Sequence, residues 1–321
     1  MINKIQKSID RTSMIFKEAA SLIKGGWGIC YVSWCIIWWI SWYARCSKIN
    51  RIADKKKQLH IDRFINKKYS AIVEKYRHRE ESKTECKDFR IWVFWGQGEK
   101  NMPAVVQACY RKLKENNGNV QFIDMDTVGQ FVELPSIVYE KLERGEMLFA
   151  HFSDILRNTL LAQYGGLWID STVLMPTKMP DIVKECTFFS PHNEKDNTYW
   201  CSYAMGSNKI GSVTFSFIRD ILTEVCEKEE TWPDYLFQDK VIQFAHKNIN
   251  ASNIAINSTP ENNTRRFMMH AIMNNPYNEE VYRDLIANNF IFKLSYKANY
   301  IIQCQGKSTF YGTMMMNNHA L

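Results

Sequence analysis

From Arg90 onward the chain alternates short apolar runs with helical patterns, and that alternation admits few folds. Ile91-Trp92-Val93-Phe94-Trp95 is an apolar run closed by Gly96-Gln97-Gly98. Pro103 then opens a helical pattern with Val105, Val106, Cys109 and Leu113 on its inner face, and Asn116-Asn117-Gly118 ends it. Residues 120–124 read as the next strand. Strand, helix and strand in this order make a β-α-β unit, so a parallel sheet flanked by helices is expected. Further helices are expected over 135–143 and 153–164. The second is stopped by Gly165-Gly166 and followed at once by a buried strand, Leu167-Trp168-Ile169-Asp170. Later helical patterns lie near 212–228, 235–247 and 278–288, with a late strand at 292–296. The Met314-Met315-Met316 run reads as tail packing or a loose terminus.

Ahead of this alternation the composition changes. Residues 1–90 carry 20 Lys and Arg against 9 Asp and Glu, and residues 91–321 carry 21 against 25, so the net charge of +7 divides into +11 and −4. The basic character belongs to the N-terminal region alone, which argues against nucleic acid as a partner of the remainder. Residues 25–44 hold no charge and carry Trp27, Trp34, Trp38, Trp39 and Trp42. Trp27, Tyr31, Trp34, Trp38 and Trp42 recur at helical spacing as one aromatic stripe. The stretch is long enough to span a bilayer, but it is rich in Gly, Ser, Tyr and Trp and poor in Leu. A helix lying in the membrane interface is therefore the expected form. Lys48, Arg51, Lys55, Lys56, Lys57, Arg63, Lys67 and Lys68 follow. Such cations are drawn to anionic lipid by about 1 kcal/mol each near the surface. The plainer alternative is a core helix followed by a solvated, charged one. No small-residue cleavage site follows, so a signal peptide is not expected. The chain thus divides into residues 1–89, a helical, basic, Trp-rich membrane-associating region, and residues 90–321, an α/β domain. Nine scattered cysteines without a CxxC pair fit neither a disulfide scaffold nor a zinc ribbon, and suit a reducing compartment.

Chemistry concentrates in His151-Phe-Ser-Asp154-Ile-Leu-Arg157 and Tyr164-Gly165-Gly166-Leu-Trp-Ile-Asp170-Ser171-Thr172. Asp154 and Arg157 stand one turn apart, on the helix face opposite its apolar stripe. Asp170 and Thr172 alternate at the C-terminal end of a strand and point the same way. In open α/β sheets ligands sit at that end. A carboxylate there can hold a divalent ion that grips a diphosphate, and Arg157 offers planar donors for phosphate or for fixing Asp154. Simpler readings stand beside these: a salt bridge on a solvated face for Asp154 and Arg157, a strand-end cap for Asp170, a structural role for His151.

Together, the strand ending in Trp95-Gly96-Gln97-Gly98, the Ser153-Asp154-x-x-Arg157 helix, Tyr-Gly-Gly and the strand ending in Asp170-x-Thr172 carry a resemblance. They resemble the capsular polysaccharide synthesis family of glycosyltransferases, related to the family 32 and mannosyltransferase-like group. Asp234-Tyr-Leu-Phe-Gln-Asp239, Lys293-Leu-Ser-Tyr-Lys297 and Thr309-Phe-Tyr-Gly resemble its later blocks, so the likeness covers about 90–315. It implies a GT-A-like, Rossmann-type mixed sheet flanked by helices. It implies a hexosyltransferase type of enzyme using a nucleotide-sugar donor. The acceptor would be a growing capsular or other cell-surface polysaccharide, or a lipid-linked oligosaccharide. Work at the cytoplasmic face of the membrane, as a peripheral or monotopic protein on an anionic surface, would follow.

The resemblance also assigns roles. Trp95, Gly96 and Gln97 would line the nucleotide pocket, and Asp154 and Arg157 would contact nucleotide or sugar. Asp170 would bind the diphosphate through Mn²⁺ or Mg²⁺. Beyond the resemblance, sugar transfer itself asks for cations at the leaving diphosphate, which Lys293 or Lys297 would add to Arg157, and for a base or acceptor-positioning group, Asp239 or Asp234. A solvated surface position is the plainer reading of each of these four. Related enzymes usually end this strand with Asp-x-Asp, whereas the second acidic position here is Thr172, a much weaker metal ligand. Metal binding would then rest on Asp170 with a residue from the C-terminal half, or be weak or dispensable.

Two other classes are compatible with the sequence. A strand ending in Asp-x-Thr also begins aspartyl-phosphate phosphatase sites, with Asp170 as nucleophile, although the second carboxylate of such sites is missing. A non-catalytic membrane-surface scaffold that keeps the fold is the other.

Overall fold

The computed structural model describes residues 13, 15–196 and 199–316. Its strands are β1 (Ile91–Phe94), β2 (Val120–Ile123), β3 (Gly166–Ile169), β4 (Val173–Leu174), β5 (Ala204–Ser207) and β6 (Phe292–Lys293). The main sheet runs in the order β2-β1-β3-β5. Strand β1 is parallel to β2 and to β3, and β5 closes the edge antiparallel to β3. The expected mixed α/β architecture, parallel-rich and flanked by helices, is thus observed. All four residues of β1 are apolar because both faces of the sheet are covered. Trp92 and Phe94 enter one core, and Ile91 and Val93 enter the other.

The helices include α1 (Ile29–Tyr43), α2 (Ser47–Lys68), α3 (Ser70–Arg77), α4 (Ala104–Asn116), α5 (Ser136–Glu143), α6 (Phe149–Tyr164), α7 (Val213–Lys228) and α8 (Phe237–Asn248). Helix α4 joins β1 to β2 as the β-α-β pattern requires. Helix α6 begins four residues earlier than expected and turns into β3 through Gly165 and Gly166, whose φ angles are +67° and +93°. A Cβ on Gly166 would lie 2.4 Å from the Arg90 carbonyl oxygen, so only glycine lets β3 approach its neighbour here.

Beyond the main sheet, β4 pairs antiparallel with β6, placing Val173 opposite Lys293 and Leu174 opposite Phe292. The expected strand at 292–296 ends at Lys293, because residues 296–297 turn. In the helix Phe310–Met316, Met314 is buried and Met315 packs partly buried against the same core, so tail packing holds for these two methionines.

The N-terminal helices do not stand apart. Tyr31, Ile61, Ile65, Val73 and Tyr76 belong to the same core as Phe217, Ile221 and Phe244 from α7 and α8. The Tyr76 hydroxyl donates to Asp220 at 2.7 Å, and that of Tyr69 to Glu229 at 2.7 Å. Most of the aromatic stripe faces protein: Tyr31 is buried, Trp27 packs on Phe64, and the Lys57 ammonium lies 4.5 Å over Trp38. Only Trp42 of the stripe stands more than half exposed. Helix α1 has 15 residues and is about 22 Å long, short of the ~30 Å bilayer core. Among the described residues no helix is long and apolar enough to cross a membrane.

Candidate functional site

A cavity of about 470 Å³ opens at the C-terminal ends of β1 and β3, where an open α/β sheet presents its loops. Each wall comes from a different element. Trp95, Gly96 and Gln97 follow β1; Asp154 and Arg157 project from α6; Asp170 and Thr172 follow β3; Asp239 sits in the first turn of α8; Lys293 and Lys297 come from β6 and the turn beyond it. The fold therefore gathers every one of these sequence-derived candidates around one space. At Gly96 a Cβ would lie 2.7 Å from the Phe149 ring, so a larger residue there would push that side chain aside.

Two residues named in the sequence lie elsewhere. Asp234 is buried and pairs with Lys57 at 2.7 Å, so it contributes no carboxylate to the cavity. His151 stacks on Trp232 at 4.8 Å, and burial lowers its pKa to about 4, which keeps it neutral.

The polar centre of the cavity is Asp170. Its Oδ1 accepts from Trp168 Nε1 at 2.9 Å and from Arg157 at 3.2 Å. Its Oδ2 accepts from Lys293 Nζ at 2.8 Å, and the same ammonium donates to Thr172 Oγ1 at 2.8 Å. Burial opposes a charge on Asp170, but the Lys293 and Arg157 cations outweigh it and hold the pKa at about 2. Arg157 is held through both terminal nitrogens: it donates to the Ser202 carbonyl at 2.7 Å and to Ser153 Oγ at 3.1 Å, and lies over the Trp168 ring. It also pairs with Asp154 at 3.2 Å.

The other two carboxylates differ from Asp170. Burial lifts Asp154 to about 7 despite Arg157, and lifts Asp239 to about 6 despite Arg157 and Lys240. A cavity holding one permanently ionised carboxylate, two that titrate near neutrality and a pair of fixed cations can bind an anion and move a proton.

Divalent metal fits this arrangement poorly. Both oxygens of Asp170, the expected ligand, already face cations, and the neighbouring hydroxyl of Thr172 serves the same ammonium. Among the described residues no three His, Cys, Asp or Glu side chains converge as a metal site would require.

Sequence reasoning passed over the aromatic rim. Tyr235 and Tyr296 line the cavity, and Tyr296 meets Trp95 edge to face at 5.8 Å. Both lie inside the Asp234–Asp239 and Lys293–Lys297 blocks, each beside a charged residue.

Among solved structures, the PaToxG glycosyltransferase aligns at a TM-score of 0.38 and 14% identity, over 72% of this chain and 87% of its own. In sequence, the chain is similar to glycosyltransferase afumC of Aspergillus fumigatus, 29% identical over 104 residues. That stretch covers 29% of this chain and 26% of the relative, so the likeness spans about a quarter of the relative's length. The family model for capsular polysaccharide synthesis proteins matches residues 42–314, most of the sequence, and the chain belongs to that family.

Proposed function

We propose that this protein is a glycosyltransferase that takes a sugar from a nucleotide-sugar donor and adds it to a capsular or other cell-surface polysaccharide, or to a lipid-linked oligosaccharide. The observation that carries the reading is the Arg157–Asp170–Lys293 cluster at the sheet's C-terminal edge, with Asp239 across the same cavity. Family membership supports it, as does the afumC likeness.

Sugar transfer needs a stabilised leaving diphosphate and an oriented acceptor hydroxyl. Arg157 and Lys293 are cations fixed before the donor arrives, so no reorganisation opposes them as charge develops on the leaving group. Lys297 extends the positive rim beside Tyr296. Trp95 and Tyr296 offer aromatic faces to a nucleobase, with Gly96 and Gln97 keeping the floor low. Asp239, with a pKa of about 6, is ionised at neutral pH yet basic enough to accept a proton from an acceptor hydroxyl. Asp154 holds Arg157 in place and borders the sugar position. A hexose is the sugar this reading assigns.

A melting-temperature screen across nucleoside diphosphates and sugar nucleotides tests it. One nucleotide class at about a hundredfold its Kd should raise the melting temperature by about 5 °C. Silence from the whole panel would overturn the donor assignment.

The same reading places the protein on the cytoplasmic face of the membrane as a peripheral or monotopic protein. Ile29, Ile40 and Trp42 of α1 stand 79%, 55% and 54% exposed, and the exposed cations Arg45, Lys48 and Arg51 follow the helix in sequence. Exposed apolar side chains followed by cations suit shallow insertion among anionic headgroups. Sedimentation with phosphatidylserine vesicles should exceed that with neutral vesicles and fall as salt rises. Equal partition into both would remove the membrane from the account.

A further inference from the structure

We propose that the Lys293 ammonium supplies, at the donor diphosphate, the positive charge that a divalent ion supplies beside an Asp-x-Asp pair, so that diphosphate binding here needs no metal. This rests on the reading of the cavity as a nucleotide-sugar site.

The ammonium is placed by backbone pairing and does not swing on a loose surface chain. Lys293 lies opposite Val173 in the β4–β6 pair; its N–H donates to the Arg266 carbonyl at 2.9 Å, and the next residue's N–H donates to the Thr172 carbonyl at 2.9 Å. Its Nζ therefore arrives between the Asp170 carboxylate and the Thr172 hydroxyl, 2.8 Å from each. An ammonium has three N–H donors. Two serve these residues, and the ammonium also lies 5.0 Å over the Tyr203 ring. Among the described residues no further hydrogen-bond acceptor takes the third N–H, so a phosphate oxygen in the cavity has only the ring to compete with for it.

The departure at Thr172 then has a physical reason. A second carboxylate would suit a divalent ion, whereas a hydroxyl accepts one N–H from an ammonium without adding charge. Asp170 is left balanced between Lys293 and Arg157, and a dication brought to it would be repelled by both. Asp154 and Asp239 line the same cavity, but they do not converge with Asp170 into a ligand set.

Titration calorimetry of the full chain with inorganic pyrophosphate, in EDTA and again with Mn²⁺ in excess over pyrophosphate, tests this. The wild type should bind in EDTA, with affinity changed less than about twofold by Mn²⁺. Lys293→Met should lose at least about tenfold in affinity, the scale of one charge-assisted hydrogen bond, and Mn²⁺ should not restore it. Lys293→Arg keeps the charge and should recover most of the binding, which separates a lost cation from a damaged fold. Wild-type binding that appears only with Mn²⁺, or Lys293→Met that binds as the wild type does, would overturn the proposal. The two readings fail differently. Pyrophosphate bound through Lys293 while no nucleoside diphosphate binds removes the donor assignment and leaves the ammonium's role. Nucleoside diphosphates that bind only with Mn²⁺ keep the donor assignment and remove the ammonium.

Discussion

Asp170→Asn is expected to slow sugar transfer by about a thousandfold, with a melting temperature within a few degrees of the wild type. Asparagine keeps the shape and can still accept from Trp168 and Arg157 through one oxygen. Its other terminal atom becomes an NH₂ group facing the Lys293 ammonium, donor against donor, where Oδ2 now accepts at 2.8 Å. The negative charge shared by both cations is lost, so the Lys293 ammonium shifts from the diphosphate position and Arg157 loses its ionic partner at residue 170. Removing one preorganised donor from such a site costs about 10²–10³ in rate, and here two cations are disturbed together. The fold should survive. Asp170 lies just past the end of β3, its backbone N–H is held by the Tyr203 carbonyl, and Arg157 keeps Ser202, Ser153 and Asp154. Single-turnover release of the donor sugar, measured beside a thermal melt, checks both halves. A normal rate would remove Asp170 from the chemistry, and a collapsed melt would make its role structural.

What could be read from the sequence follows from how local each signal is. Strands β1 and β3 are legible because both faces are buried, so their residues are apolar without interruption. The turn into β3 is legible because two adjacent glycines at positive φ have few other uses. Asp154, Arg157 and Asp170 share a short segment, so their convergence could be argued from helix and strand periodicity alone. Strand β5 is not legible: Ala-Met-Gly-Ser has no β-branched residue, and only pairing with β3 on one side and with Phe189 on the other makes it a strand. The Lys293–Asp170 pair was hidden for a related reason. Lys293 could be named as an added cation, but its register against Val173 is set by contacts far apart in the chain. The N-terminal helices show the same limit. A stripe of Trp and Tyr reads as an interfacial surface, yet Tyr31 and Trp27 pack inward because partners from distant segments meet them.

Those distant partners make Lys57→Met the second large effect, a loss of about 3–5 kcal/mol in folding free energy. Lys57 sits in a run of lysines that reads as solvated surface, yet its ammonium and the Asp234 carboxylate are 2% and 3% exposed and 2.7 Å apart. Burial opposes the charge on each, and each partner outweighs it: Asp234 is held below the usual carboxylate range and Lys57 above the usual lysine range. Methionine fills similar volume but leaves Asp234 with the Leu236 N–H, a long 3.3 Å bond from Tyr31 and the charge of Lys240, whose own ion-pair partner is Asp54. Without its direct ammonium partner the buried carboxylate is under-compensated. The pH dependence separates this cause from simple packing loss. A depressed carboxylate contributes stability that is present above its unfolded pKa, about 3.9, and is lost as pH falls through the lower folded value. In the variant the unpaired Asp234 gains a raised pKa instead, so protonation relieves it as pH falls. Urea unfolding should therefore show the gap between wild type and variant widest at about pH 7 and narrowing towards about pH 4. Asp234→Asn in the Lys57→Met background should regain part of the loss at neutral pH, because it removes the stranded charge. A gap that stays constant with pH, or one below about 1 kcal/mol, would show that the pair does not clamp the N-terminal helices to the turn leading into α8. That turn carries Tyr235 and Leu236 into the cavity, so the same clamp that secures the helices also sets one wall of the site.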